Sequence, residues 1–248
     1  MGDRKYPSRD RKLGRAPLSV SRDGYFGQPQ LLTRGYHKIE SAVNAFDFDF
    51  KDKIVLDIGS STGGFTELAL KHGAKKVIAV EKGTNQMKSP LRLDPRIDLH
   101  EKTDIFDVEC GGLATAAGCS TEHEDLARAV RSVSEGHAAA VASPFVEFPD
   151  VIVADVSFLS LTKILKHAKI HLSRSDTDFL VMLKPQFEAK PYQLNKGVVK
   201  NEKIRREIIK NFEQWLKQNG FIIIKKRDNN LAGKNGNLER FYWLRLAK

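Results

Sequence analysis

The sequence predicts an α/β fold built on an open sheet of seven strands, mostly parallel, with helices on both faces and the last strand antiparallel. Short apolar segments typical of strands alternate with helical segments, which is the pattern of a parallel sheet covered on both faces. The last two strands, 221–226 and 241–246, are joined by residues 227–240 without a helix, so they should form an antiparallel pair. The 248 residues suffice for one sizeable domain of this kind.

Hydrophobic periodicity predicts the individual elements. Residues 39, 43 and 46 are apolar at helical spacing and give a first helix whose start carries Lys38. Residues 151–156 form an apolar run, typical of a strand buried on both faces. A long amphipathic helix at 202–219 ends at Gly220. The predicted strands are 54–59, 76–81, 97–102, 151–156, 179–184, 221–226 and 241–246, and the remaining helices are 64–72, 85–91 and one through residues 165 and 168.

Two segments break this alternation. Residues 1–30 are polar and basic with little apolar periodicity and predict a flexible N-terminal arm, which leaves residues 31–248 as the folded domain. Residues 107–149 form an insertion far longer than typical loops, with a possible helix at 126–134. We interpret the insertion either as a disordered surface segment or as a lid or partner-docking element beside the site.

The composition indicates a basic globular protein of the cytoplasm. The chain has 41 Lys and Arg against 31 Asp and Glu, a formal charge of +10, which favours binding to polyanions such as RNA. No apolar run approaches the roughly 20 residues that span a bilayer, and residues 1–15 do not form a secretory signal. Cys110 and Cys119 lack metal-ligand spacing and are interpreted as free thiols in a reducing cytosol, and the scattered histidines predict no metal site. The basic residues between 196 and 210 fit phosphate contacts and an ordinary solvated helix face equally well.

A glycine-rich turn predicts a nucleoside cofactor. The strand that ends at Gly59 enters a loop whose glycines let the backbone turn tightly and approach a ligand, with helix N–H groups facing it. The lysine and hydroxyl of a triphosphate-binding loop are missing. Glu81 ends the second strand, where an acid can accept both ribose hydroxyls, and Asp104 follows the third within reach of an adenine amino group. The predicted cofactor-binding residues are Asp57, Gly59, Ser60, Ser61, Thr62, Gly63, Gly64, Phe65, Glu81, Lys82, Asp104 and Asp155.

Four charged residues predict proton-transfer chemistry at one edge of the sheet. Asp155 and Lys184 end strands, and Glu239 precedes the reversed last strand, so all three share the edge at which open α/β sheets bind ligands. Lys38 opens the first helix, and the pattern alone does not fix its edge. A lysine can act as a base when burial or a neighbouring cation lowers its pKa. A second lysine and two carboxylates would then activate and orient it for the methylation of a weakly acidic hydroxyl.

Several sequence motifs resemble those of the TlyA hemolysin-type branch of the FtsJ-like RNA methyltransferases, which have the Rossmann-like class I methyltransferase fold. The matching motifs lie at residues 32–40, 57–66, 83–87, 154–158, 183–188 and 236–239. The resemblance implies S-adenosylmethionine as the cofactor and 2′-O-methylation of ribosomal RNA by a Lys–Asp–Lys–Glu tetrad. That tetrad falls on Lys38, Asp155, Lys184 and Glu239, with Lys184 as the base. The family usually carries an S4 RNA-binding domain before the catalytic domain, where this chain has the basic arm, and a second glycine where it has Tyr36.

Two other functions remain open at this point. One is a non-catalytic protein that keeps the fold and binds RNA or the ribosome. The other is a membrane-active hemolysin, as the family's historical name suggests, although no spanning segment supports it. The sequence does not indicate an oligomeric state.

Overall fold

The computed structural model describes residues 33–110, 147–231, 233 and 236–248. The chain divides into residues 1–31 and residues 32–248, and the second unit is described here. The predicted arm at 1–30 lies outside the described residues. The same holds for most of the predicted insertion, including the possible helix at 126–134.

The described residues form one seven-stranded sheet in the order β3-β2-β1-β4-β5-β7-β6. Strands β1 to β5 pair in parallel, whereas β7 lies between β5 and β6 and is antiparallel to both. The predicted sheet with a reversed last strand is therefore confirmed. The strands are β1 (Ile54–Ile58), β2 (Lys76–Glu81), β3 (Ile97–Glu101), β4 (Val151–Ala154), β5 (Asp178–Leu183), β6 (Phe221–Asp228) and β7 (Arg240–Leu246).

Five α-helices accompany the sheet in the described part of the chain. They are α1 (Arg34–Phe46), α2 (Gly64–Lys71), α3 (Leu161–His167), α4 (Pro185–Glu188) and α5 (Glu202–Gln218). The side chain of Thr33 caps α1 by accepting from the Tyr36 N–H, and Asn201 caps α5. The short helix predicted at 85–91 is wrong: only Leu91–Leu93 forms a 3₁₀ turn there. Pro90 disfavours helical backbone at the residue before it, and Asn85 has a left-handed φ of 55°.

Two hydrophobic clusters cover the two faces of the sheet. Alternate residues of β5 serve different faces, since Phe179 joins the cluster that packs on α3 and α5 while Leu180 joins the cluster that packs on α1 and α2. Each fully buried side chain of this size stabilises the fold by about 1.5–3 kcal/mol. The sheet is thus held rigidly between two helical layers.

One edge of this sheet collects the ends of strands from distant parts of the chain. Ile58 pairs with Ala154, so Gly59 and Asp155 leave neighbouring strands at the same height. Leu183 pairs with Arg240 across the antiparallel boundary, so Lys184 and Glu239 lie beside each other at the same edge. The topology therefore brings together the residues described next.

Candidate active site

Lys184 lies at one end of a chain of ion pairs. Its Nζ is 2.6 Å from Asp155 Oδ1 and donates to Ser157 Oγ at 2.8 Å. On the far side of Asp155, Lys38 Nζ is 3.9 Å from Oδ2 of that carboxylate and 2.8 Å from Glu239 Oε2. The structure thus brings all four residues of the predicted tetrad together, in the order Lys184, Asp155, Lys38 and Glu239.

Lys38 reaches this edge because α1 begins there. The residue lies in the first two turns of α1, and its side chain is 10% exposed, compared with 3% for Glu239. Charged groups are rarely buried without partners. The alternating charges satisfy each other, so two cations and two carboxylates are accommodated at a largely dry position.

The loop between β6 and β7 closes over Glu239. The backbone carbonyl of Glu239 accepts from the Asn229 N–H at 2.9 Å, and Gly233 packs directly on the Glu239 carboxylate. A Cβ at Gly233 would lie 2.7 Å from Glu239 Oε1, so a side chain there would displace the carboxylate. Glu239 is therefore held from both sides, by Lys38 and by this loop.

A cavity of about 180 Å³ opens beside Asp155 and Lys184. The residues that line it come from α1, β1 and the loop after it, the start of α2, the loop after β4 and the first position after β5. They are Gly35, Asp57, Gly59, Ser60, Ser61, Thr62, Gly64, Phe65, Asp155, Ser157 and Lys184. Gly63, which was predicted with this set, forms the left-handed N-cap of α2. The cavity thus joins the predicted glycine loop to two members of the tetrad.

Asp57 and Ser60 present buried polar atoms with unused hydrogen-bonding capacity. Asp57 is 1% exposed, and its Oδ2 accepts from the Thr66 hydroxyl at 2.6 Å. Asp57 Oδ1 and Ser60 Oγ have no hydrogen-bond partner within the described residues. Burial raises the pKa of Asp57 to about 7. Such atoms are expected to meet donors and acceptors of a ligand in the adjoining cavity.

Glu81 is directed at the glycine loop. Its carboxylate accepts from the N–H groups of Ser61 at 2.9 Å and Gly83 at 2.6 Å, and from Gln86 Nε2 at 3.1 Å. The bond from Ser61 holds the loop after β1 against the end of β2, and the other two donors belong to the segment that follows β2. Lys82 and Asp104 lie at the ends of β2 and β3, where they form an exposed ion pair of 2.8 Å.

A glycine loop, a cavity and a chain of ion pairs at the carboxyl edge of a seven-stranded sheet with a reversed last strand define a Rossmann-like class I methyltransferase. A family model supports this class: residues 31–246 match the FtsJ-like methyltransferase family. The chain belongs to that family.

Relatives and a solved structure share most of this domain. Hemolysin A of Brachyspira hyodysenteriae is 32% identical over 209 residues, which cover 84% of this chain and 74% of that protein. The 16S/23S rRNA (cytidine-2′-O)-methyltransferase TlyA of Mycobacterium tuberculosis is 31% identical over 215 residues, 86% of this chain and 68% of the relative. A solved structure of a hemolysin-type protein from Streptococcus thermophilus superposes with a TM-score of 0.70 at 28% identity, covering 90% of this chain and 70% of that one.

Family membership confirms the predicted enzyme class and its cofactor, S-adenosylmethionine. The residues that line the cavity fit S-adenosylmethionine. The unpartnered Asp57 Oδ1 suits the ammonium or hydroxyl donors of such a ligand, and Ser60 Oγ can donate or accept. The cavity places both atoms on the same side as Lys184.

Sequence reasoning missed several residues that complete the site. Ser157 accepts from Lys184, Thr66 donates to Asp57, and Gln86 binds Glu81. All three residues lie inside the sequence motifs that carry the family resemblance, and this resemblance was the signal that could have identified them. Phe158, in the same sequence motif as Ser157, is 91% exposed beside the site and has a left-handed φ of 64°.

Two findings concern other kinds of site. No helix among the described residues is long and apolar enough to cross a membrane. Within the same described ranges, no group of three or more His, Cys, Asp or Glu side chains is arranged to hold a metal ion.

Proposed function

We propose that this protein transfers a methyl group from S-adenosylmethionine to a ribose 2′-hydroxyl of ribosomal RNA in the cytoplasm. The observation that carries the proposal is the ion-pair chain from Lys184 to Glu239 beside the glycine-loop cavity. When bound, S-adenosylmethionine supplies a sulfonium methyl group that is open to attack by an oxygen nucleophile. The residues must therefore position that oxygen and remove its proton.

Lys184 is the proposed base, and it takes part as the neutral amine. A neutral amine has two N–H groups and one lone pair. Ser157 Oγ at 2.8 Å and the Asp155 backbone carbonyl at 3.4 Å accept the two hydrogens, and Asp155 Oδ1 lies 2.6 Å from Nζ, so these oxygens restrict the direction of the lone pair. The 2′-oxygen forms its bond to the methyl carbon while its proton passes to Nζ, and the methyl–sulfur bond breaks.

Lys38 and the two carboxylates orient the base and balance its charge. Asp155 contacts both lysines, so the position of one amino group depends on the other. Glu239 anchors Lys38 at 2.8 Å, and the Asp155 carboxylate faces the positive charge that develops at Lys184 as it takes the proton. Preorganised charges of this kind stabilise a transition state without reorganisation during the reaction.

Phe158 is the proposed contact for a base of the RNA. Its ring lies 5.2 Å from that of Phe187, and Lys184 Nζ lies 5.9 Å from the Phe187 ring. An aromatic side chain that is 91% exposed gains nothing from burial in the protein itself. Aromatic residues stack on bases of unpaired RNA, which favours a target nucleotide presented outside a helix.

The name of one relative provides independent support for the substrate class. TlyA of Mycobacterium tuberculosis is named as a 16S/23S rRNA (cytidine-2′-O)-methyltransferase, and it shares 31% identity with this chain. We carry the ribose 2′-hydroxyl and ribosomal RNA over to this chain as part of the proposal.

The direct test uses ribosomal RNA and S-adenosylmethionine carrying a labelled methyl group. After incubation with the protein, the RNA is digested to nucleosides and separated by mass. The proposal predicts labelled 2′-O-methyl nucleosides at one or a few mapped positions. Tight RNA binding without label in any nucleoside would support the non-catalytic alternative, and label confined to the bases would contradict ribose chemistry.

A further inference from the structure

The segment between α4 and α5 forms a small hairpin with a lysine at its tip. Asn195 and Val198 exchange backbone hydrogen bonds of 2.9 and 3.0 Å, with Lys196 and Gly197 between them. Both central residues have positive φ, 49° and 78°, as a two-residue hairpin turn of this type requires. Asn or Gly normally takes the first of these positions, so a lysine there is strained.

This hairpin is fastened to the loop segment that carries Glu239. Asn237, two residues before Glu239, accepts from the Val199 N–H at 3.1 Å and donates to the Gly197 carbonyl at 3.1 Å. Arg205 in the first turn of α5 donates to the Leu238 carbonyl at 3.2 Å. The hairpin and the start of α5 are therefore rigidly placed beside the tetrad.

Three exposed lysines of this segment have no ion-pair partner among the described residues. Between residues 189 and 206 the chain has six Lys or Arg and one Glu. Lys196, Lys200 and Lys203 are exposed and form no ion pair with any residue that the structure describes. Arg206 is 73% exposed, and its Nε donates to the Glu202 carbonyl at 3.4 Å and lies 4.0 Å from Glu202 Oε1. We define Lys196, Lys200, Lys203 and Arg206 as the basic hairpin surface.

A second basic region differs in this respect. A groove of about 500 Å³ between α1 and β6 is lined by Ala45, Phe46 and three cations. Each of these cations already has a protein partner: Lys225 donates to the Phe46 carbonyl, Arg227 to the Ser41 carbonyl, and Lys226 to Glu213. Cations that bridge elements of the fold are less available to an external anion.

We propose that the basic hairpin surface binds the phosphate backbone of the RNA and sets where the target ribose lies relative to Lys184. This inference rests on the proposed function, and it names the part of the chain that holds the substrate. Exposed cations that lie close together repel one another and bind a polyanion with release of its counterions. The strained turn holds Lys196 at the tip of the hairpin, where its ammonium group contacts a phosphate of the RNA. Asn237 fastens the same turn beside Glu239.

The test compares two triple variants of the full chain. Lys196→Asn, Lys200→Gln and Lys203→Gln remove three charges from the surface, and Asn at the tip also suits the left-handed turn. The control variant is Lys51→Gln, Lys75→Gln and Lys217→Gln, which removes three exposed lysines from the opposite edge of the sheet. Binding of purified 23S ribosomal RNA is measured from 50 to 300 mM salt, together with S-adenosylmethionine binding by calorimetry.

The surface variant should bind the RNA roughly tenfold or more weakly, and the slope of log affinity against log salt should fall by about 2 to 3, near one for each lost phosphate contact. The control variant should stay within about twofold of the unchanged protein, and both should bind the cofactor alike. RNA affinity and salt slope of the surface variant equal to those of the control would overturn this inference, even with methyl transfer intact. Absence of methyl transfer by the unchanged protein would instead overturn the proposed function.

Discussion

Asp57 is a buried acid whose protonation links folding to pH. Its pKa rises from 3.8 to about 7 because burial disfavours the charged carboxylate. Between these values the folded protein holds a proton that the unfolded chain has lost. The free energy of unfolding therefore falls as pH rises through this window. The stabilising contribution of the Asp57 proton is fully present only below about pH 4.

We expect Asp57→Asn to remove this pH dependence in the cofactor-free protein. Asn keeps an oxygen for the Thr66 hydroxyl but carries no charge. Between pH 5 and pH 8 the unchanged protein should lose about 3 kcal/mol that the variant retains, as measured by urea unfolding at both values. Asp176→Asn, at an exposed carboxylate, serves as the control. An identical pH slope in the unchanged protein and Asp57→Asn would contradict the assignment.

Phe158 combines exposure with backbone strain. A left-handed conformation costs a residue with a side chain roughly 1–2 kcal/mol, and this residue gains no burial in return. Strained residues cluster at functional sites. The proposed stacking of the ring on an RNA base would account for this conformation.

Replacing Phe158 by Gly should separate stability from activity. Glycine removes the left-handed strain, so the free energy of unfolding should stay within about 1 kcal/mol of its original value or rise. Loss of base stacking should weaken the apparent affinity for RNA by roughly 5- to 100-fold, and Phe158→Trp should retain it. Unchanged RNA kinetics in Phe158→Gly would argue against a base contact.

Helices α1 and α2 meet at Gly64, and this contact delivers Lys38 to the site. A Cβ at Gly64 would lie 2.5 Å from the Tyr36 N–H and would also overlap the Thr33 hydroxyl that caps α1. The glycine thus allows the start of α1 to lie against the loop that borders the cavity. Tyr36 itself is buried in the core cluster on that face.

Gly64→Ala should push α1 away and damage both stability and catalysis. Steric overlap with the backbone predicts a loss of roughly 2–3 kcal/mol in unfolding free energy. A larger fall in kcat than in cofactor affinity should accompany it, because Lys38 moves with α1. Gly35→Ala is the folding control, since its Cβ would meet only ordinary contacts at 3.6 Å or more. Equal stability of the two variants would refute this account of the helix contact.

The strands and long helices were predictable because their apolar patterns repeat with the period of each element. Asp155, Lys184 and Glu239 were predictable at the level of the sheet edge, since strand ends meet there, whereas the sequence pattern did not fix the edge of Lys38. The helix predicted at 85–91 does not form, because Pro90 and the left-handed backbone at Asn85 override the local helix propensity. Gly64 was predicted as a ligand-binding glycine, and its contact with α1 could not be found, because it joins elements distant in the chain only after folding.

At the scale of the whole molecule, the site depends on the reversed strand. Asp155 and Lys184 come from parallel strands, while Glu239 reaches the same edge because β7 runs in the opposite direction. The loop that leads into β7 also fastens the basic hairpin surface through Asn237. The loop that leads into β7 therefore connects the proposed proton-transfer chain to the proposed RNA-binding surface.

The central claim is that Lys184 accepts the proton of the ribose hydroxyl. The most direct test is the single-turnover rate of 2′-O-methyl formation on ribosomal RNA by the unchanged protein, by Lys184→Met, and by Lys163→Met as an exposed control. A general base contributes roughly 10²- to 10⁴-fold, so Lys184→Met should slow the reaction by that factor while cofactor and RNA binding persist. A rate for Lys184→Met within a few-fold of the Lys163→Met control would contradict the claim.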